Sequence, residues 1–178
     1  MKLSKNKVVF TFLASLAMSN VAFAETVNGG KVTFNGEVTS GACAVSGSDT
    51  DKLVTLDTVR ADRFTQANQL GNAKKAFEIS LLDCDASTLS TVQVSFNGQG
   101  VDGNSTLLGN SAGAGAAENV GLQLFGPDGA ALNINDLSST VNLIANTTIP
   151  LSVDYMSTAA AVTAGKVQSV ANFQLSYN

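Results

Sequence analysis

The chain has 178 residues, with ten lysines and arginines against fourteen aspartates and glutamates, and its complete lack of histidine removes Ser-His-Asp and Cys-His catalysis and the commonest zinc ligand. No basic stripe exists beyond Lys74-Lys75, so phosphate-backbone binding is excluded as its main work. Sixteen glycines, two prolines, no tryptophan and abundant Val, Thr, Ser and Asn suit short strands and turns rather than helices.

In chain order, Lys2, Lys5 and Lys7 precede an apolar run from Val8 to Val21, which closes on the small-x-small triplet Ala22-Phe23-Ala24. That run is short for a membrane span and is interrupted by Ser15, Ser19 and Asn20. Residues 1–24 are therefore expected to be a cleaved signal peptide. The remaining 154 residues suffice for one domain with a sizeable core, and they carry seven basic and fourteen acidic residues, a net charge of −7.

Residues 25–38, ETVNGGKVTFNGEV, read as a strand. Val32, Phe34, Gly36 and Val38 share one parity, with Thr33, Asn35 and Glu37 on the other. Nothing obvious in the same chain accepts that apolar face. Cys43 and Cys84 are the only cysteines, and in an exported chain the simplest reading is one disulfide. A redox or metal pair fits poorly, because the spacing is nothing like CxxC.

The domain expected over residues 39–178 alternates strand and turn signals. Ser46 to Asp51 is a polar turn, and Leu53, Val54 and Leu56 begin the next strand. Phe64, Ala67 and Leu70 stand at helical intervals, predicting a turn or two of helix within 59–72 that ends at Gly71. Phe77, Ile79 and Leu81 alternate with polar neighbours, as do Val92, Val94 and Phe96 before the turn pair Asn97-Gly98. Residues 109–119 read as a surface loop. Val120, Leu122 and Leu124 face Leu132 and Ile134 across Gly126-Pro127-Asp128-Gly129, the clearest hairpin signal. Strands over 141–145, 149–155 and 166–178 complete the pattern, with an alanine-rich loop over 158–164 between the last two. Nine or so short segments without a sustained helix predict an all-β sandwich.

Several patterns mimic chemistry. Residues 98–103 fit GxGxxG, but no helix is expected after them. Asp83 and Asp85 lack the pocket that would split an acid-base pair. Asp49 with Asp51 falls short of a calcium loop. Asn104-Ser105-Thr106 and Asn146-Thr147-Thr148 match a short sequon with a high chance rate. No catalytic apparatus, metal site or cofactor site is expected.

At the other end, Ala171, Phe173, Leu175 and Tyr177 alternate with Asn172, Gln174, Ser176 and Asn178. Together with VNGGKVTFNGEV ahead of Cys43, VTLDTV at 54–59, FEISLLDC at 77–84, ENVGLQLFGPDGAAL at 118–132 and ANFQLSYN at the end, this resembles the pilins of the chaperone-usher pathway, most closely major subunits of type 1 fimbriae. Gly165, fourteenth from the C-terminus, and the penultimate Tyr177 match that family's terminal motif.

The resemblance implies an incomplete immunoglobulin-like β-sandwich, completed by a donated strand. It implies that Gly30, Val32, Phe34, Gly36 and Val38 enter a neighbour's groove, and that Gly165, Phe173, Leu175 and Tyr177 belong to the groove and the surface a chaperone meets. The implied partners are identical or related pilin subunits in a head-to-tail filament, a periplasmic chaperone and an outer-membrane usher, with host-cell contact left open. The implied location is the periplasm in transit and then the extracellular fimbria, and the implied role is a shaft subunit. The alternative is a minor tip-adapter pilin or a glycan-binding module of the same system.

Overall fold

The computed structural model describes residues 31–36, 38, 41–102 and 104–178. The chain divides into two units, Met1–Glu37 and Val38–Asn178. Of the first, the described residues 31–36 are exposed and enter no strand. The expected signal peptide, Gly30 and Glu37 lie outside the described residues.

The second unit holds ten strands: β1 (Ala44–Val45), β2 (Lys75–Leu82), β3 (Thr91–Gly98), β4 (Gly100–Val101), β5 (Asn104–Gly109), β6 (Val120–Phe125), β7 (Ala131–Leu132), β8 (Val141–Asn142), β9 (Thr147–Ser157) and β10 (Ala171–Tyr177). One sheet runs β1-β2-β9-β6-β5-β4, with β7 also on β6, and the other runs β10-β3-β8. The strands are antiparallel throughout, as expected for strands joined by turns.

Alternation places the core. Ile79 and Leu81 of β2, Val92, Val94 and Phe96 of β3, and Ile149, Leu151 and Val153 of β9 are buried between the sheets. The predicted hairpin forms, with Leu124 opposite Leu132 and Gly129 at a positive φ of 76° in its turn. Cys43 and Cys84 are disulfide-bonded, tying the start of the sandwich to the end of β2.

Several expectations change. The helical spacing around Phe64 yields only the 3-10 turn Ala61–Arg63. Asn68 and Asn72 adopt left-handed φ values of 58° and 52°, and the stretch between them bonds to the end of β9 through Asn68 N–H to Ser157 O and Gly71 N–H to Tyr155 O. Tertiary hydrogen bonds thus replace helical ones, and Gly71 is not a helix cap. The Asn97-Gly98 pair does not turn the chain within itself; both residues stay paired with β10. Residues 100–109, for which the sequence showed no strand, supply β4 and β5, and Leu107 and Leu108 are buried.

The turn at 46–51 centres on Asp49, which is only 3% exposed. One carboxylate oxygen accepts from Lys52 Nζ at 2.7 Å and the other from Ser80 N–H at 2.7 Å. The calcium reading of this loop has no room, because Lys52 already neutralises the charge. Burial opposes ionisation, but the hydrogen bonds from Lys52 and Ser80 outweigh it and hold the carboxyl below its ordinary range. Because the folded-state pKa is depressed, the stabilisation is complete above about pH 4 and disappears as pH falls through the folded value. Asp49→Asn is expected to lower stability by about 1–3 kcal/mol at pH 7 and to flatten the acid limb of a urea-unfolding profile. A variant with an unchanged acid limb would remove Asp49 from that role.

Candidate functional site: an open groove beside the last strand

The last strand is built for two neighbours and has one. β10 pairs with β3 in unbroken register from Ala171 opposite Gly98 to Tyr177 opposite Val92. Just beyond it, Asn178 and Thr91 exchange both backbone hydrogen bonds, each at 3.0 Å. Hydrogen-bonded pairs alternate in an antiparallel ladder. Ser176, Gln174 and Asn172 therefore bond to β3, and Tyr177, Leu175, Phe173 and Ala171 turn their N–H and C=O groups to the opposite edge. Among the described residues no strand meets that edge.

The same four residues carry the apolar side chains. Each is only half-buried, although they pack on a core whose β3 members Val92 and Val94 are fully buried. A sandwich closed at this edge would cover them. One side of the core is thus open along β10, exposing apolar side chains and unpaired backbone together.

The opposite wall comes from residues 53–59. Their spacing predicts a strand, yet among the described residues they enter no ladder and make no backbone-to-backbone hydrogen bond. Side chains hold the segment beside β2: Lys52 Nζ donates to Glu78 O at 2.6 Å, Lys75 Nζ lies 3.3 Å from the Asp57 carboxylate, and Tyr155 Oη donates to Asp57 O at 3.1 Å. Val54, Leu56 and Val59 are half-buried against the core. Between the walls, the Phe77 ring of β2 meets Phe96 of β3 at 6.3 Å, and Phe96 meets Phe173 of β10 at 6.4 Å. These rings raise an aromatic ridge in the core beside β10.

Near the start of β10 a cavity of about 320 Å³ is lined by Val59, Phe64, Val120, Tyr155, Val162 and Val167, among others. Gly165 lies there, ahead of β10 rather than in it. Its neighbour Lys166 bridges Ala116, and a Cβ on Gly165 would fall 2.4 Å from Ala117 N and 2.5 Å from Ala116 C. Only glycine permits that approach. Gly165→Ala is expected to destabilise the domain by about 1–3 kcal/mol by forcing these two backbones apart, read as a lower urea midpoint. An unchanged midpoint would mean that the loop over 110–119 moves aside freely.

The groove carries little electrostatic chemistry. Burial pushes the Tyr155 phenol up, helped by the Asp57 and Asp154 carboxylates, and burial also pushes up that of Tyr177. Both stay neutral at physiological pH. Among the described residues no group of three or more acidic or cysteine side chains is placed to hold a metal ion. The arrangement suits an extended apolar chain that supplies its own backbone hydrogen bonds.

Of the proposed donor residues, Val32, Phe34 and Val38 are 74%, 89% and 100% exposed, and a Cβ on Gly36 would meet nothing within 4 Å among the described residues. Alternation gave β10 as a strand, and its place beside a groove came from the family resemblance. Sequence reasoning read Val54 and Leu56 as strand without seeing a wall, it placed Val162 in the alanine-rich loop, and it placed Val167 in the last strand, which begins only at Ala171.

A two-layer sandwich whose final strand lacks an outer neighbour defines a class, the incomplete immunoglobulin-like fold. A family model described as fimbrial protein matches residues 32–178. The chain is 38% identical over 176 residues to the type-1 fimbrial protein A chain of Escherichia coli K12, covering 96% of this chain and 95% of that one. It is 37% identical to the type 1 fimbrial subunit of Klebsiella pneumoniae, again over 96% and 95%. Among solved structures, a subunit of a chaperone-usher pilus studied for rod uncoiling superposes with a TM-score of 0.70 at 25% identity, covering 87% of this chain and all of that one. The chain belongs to the fimbrial protein family.

Proposed function

We propose that this chain is the shaft subunit of an adhesive surface fimbria and polymerises by strand donation. Residues 25–38 of one copy fill the groove of the next, with Gly30, Val32, Phe34, Gly36 and Val38 directed inward. The observation that carries this reading is the coincidence on β10 of half-buried apolar side chains and an unpaired backbone edge. The relatives named as type 1 fimbrial subunits support the shaft position.

Burying Val32, Phe34 and Val38 contributes roughly 1.5–3 kcal/mol each. The outward N–H and C=O groups of β10 add about 0.5–1.5 kcal/mol per hydrogen bond, before the entropy of ordering the donor is subtracted. Head-to-tail donation does not close on itself, so it builds an open filament. Binding free energy drives assembly without a cofactor.

Before donation, the open edge is an aggregation hazard. A periplasmic chaperone covers it after export, and the outer-membrane usher is where the neighbour's segment replaces the chaperone on the way to the cell surface. The test uses a chain lacking residues 25–38, held by its chaperone, to which a synthetic 25–38 peptide is added. Chaperone release with a large rise in melting temperature is the expected result. A truncated chain that is stable alone and ignores the peptide would overturn the proposal.

A further inference from the structure

The two ends of the sandwich differ in charge, and the difference bears on how subunits meet. At the lower end, the chain enters through residues 41–43, beside the turn that follows β2 and beside the C-terminus. Asp85 N–H donates to Ala42 O at 2.9 Å, Cys84 N–H to Ala145 O at 3.0 Å, and Ser90 N–H to Asn178 O at 2.8 Å. This end presents the exposed Asp83 and Asp85 and the terminal carboxylate, and residues 41–51, 83–91, 141–147 and 176–178 contain no lysine or arginine. The Ser87 side chain and backbone N–H hydrogen-bond Asp85 and hold its carboxyl below the usual range, so it stays ionised.

At the upper end, the turn Ala61–Arg63 and residues 162–167 face each other across the 320 Å³ cavity. Exposed Arg60, Arg63 and Lys166 stand here against Asp62 and Glu118. Arg60 pairs with Asp62. Arg63 donates to the neutral Gly71 carbonyl at 2.7 Å, and Lys166 has no ion-pair partner among the described residues. Among the described residues, Arg63 and Lys166 thus stand without a salt bridge beside the mouth of the groove, against the one unpaired carboxylate of Glu118, which leaves a net positive charge there.

Four residues separate Val38 from Cys43, so the five Cα-to-Cα steps between them reach roughly 18 Å at full extension. The donor's lower end must therefore sit close to the point where Val38 leaves the acceptor's groove. β10 runs from the upper end at Ala171 to the lower end at Tyr177. A donor antiparallel to β10 leaves at the upper end, and acidic end meets basic end. A parallel donor leaves at the lower end and sets two acidic ends against each other.

Resting on the strand-donation reading, we infer that the lower end of each subunit docks on the upper end of the next copy, with Asp83 and Asp85 of the donor facing Arg63 and Lys166 of the acceptor. The contact is a solvated rim, so its main effect is on the rate of subunit addition and on orientation. It also makes that rate dependent on salt.

The test compares addition rates of mature full-length subunits, delivered from chaperone complexes, at low and high salt. Asp83→Asn with Asp85→Asn keeps side chains that suit the left-handed backbone at Asp83 and the turn at Asp85. It is expected to slow addition about 3- to 10-fold at low salt and to leave little salt dependence. Arg63→Glu with Lys166→Glu is expected to slow it further. Joining both pairs in one chain is expected to lose less than the product of the separate effects, because the repulsion created on one side has lost its partner on the other.

The synthetic 25–38 peptide has no sandwich attached, so all variants are expected to take it up within about twofold of the wild-type rate. Equal peptide uptake together with subunit addition unchanged in every variant, at both salt concentrations, would overturn end-to-end docking. Failure of the wild-type truncated chain to take up the peptide would instead overturn strand donation itself.

Discussion

Gly36→Leu is expected to abolish fibre growth while leaving the subunit folded and held by its chaperone. Among the described residues of its own chain, a Cβ on residue 36 meets nothing within 4 Å. The substitution is therefore expected to leave the packing of the isolated subunit intact. The groove is expected to differ, because on the proposed register the donor crosses the row of rings formed by Phe77, Phe96 and Phe173. A donor residue crossing that ridge is expected to have room for backbone and little else. Forcing a leucine onto it costs typically 1–3 kcal/mol and shifts the strand off its hydrogen bonds as well. Each 1.4 kcal/mol lowers the equilibrium for addition tenfold, and the penalty recurs at every junction, so long polymers should vanish from sedimentation assays. Gly36→Ala should fall between. Wild-type fibre yield from the leucine variant would show that residue 36 does not cross the ridge.

The parts of this arrangement that alternation encodes were legible. β2, β3, β9 and β10 each carry a period-two apolar set, and the turn Gly126–Gly129 announced the hairpin between β6 and β7. The free edge of β10 was not legible in the alternation itself and entered only through the family resemblance, because an edge strand and a central strand share the same alternation when both cover a core. Residues 53–59 show the converse. Their apolar spacing is that of a strand, but pairing depends on a neighbour, and among the described residues none is present.

Other departures arose where tertiary contacts override local pattern. Every residue of β6 is buried, although alternation allows one covered face. Gln123 turns its amide to Leu132 O at 3.2 Å, Lys74 Nζ caps the Phe125 ring at 3.5 Å, and a Cβ on Gly121 would reach Val101 at 2.8 Å, so this strand is covered from both sides. β5 escaped notice because glycine and asparagine surround Leu107 and Leu108, and adjacent leucines give no period. The loop over 110–119 read as free surface, yet Ser111 N–H to Gln168 O and Ala117 N–H to Lys166 O bind it to the segment before β10. That anchoring is what makes Gly165 a packing glycine, a role its position in the sequence alone did not show.

Tyr177→Ala is expected to cut recovery of the subunit from the periplasm several-fold, whereas Tyr177→Phe is expected to leave recovery close to wild type. Tyr177 closes the apolar row of β10 opposite Val92, and it is half-buried while the groove stands open. Any strand laid along the free edge, from a chaperone or from the next subunit, covers the remainder of its ring. Removing a large aromatic side chain from a site that becomes buried costs about 3–5 kcal/mol at full burial. Part of that cost falls on the free subunit and part on the filled one, so both folding and capture weaken. The phenol stays neutral, its pKa pushed up by burial, so the phenylalanine variant retains the ring without losing a charge. The readouts are subunit level and the amount co-purifying with chaperone. If alanine lowers subunit level but the surviving protein binds chaperone as tightly as wild type, Tyr177 serves only the subunit's own core. If capture falls in proportion, the half-open ring is part of the surface that the donated strand completes.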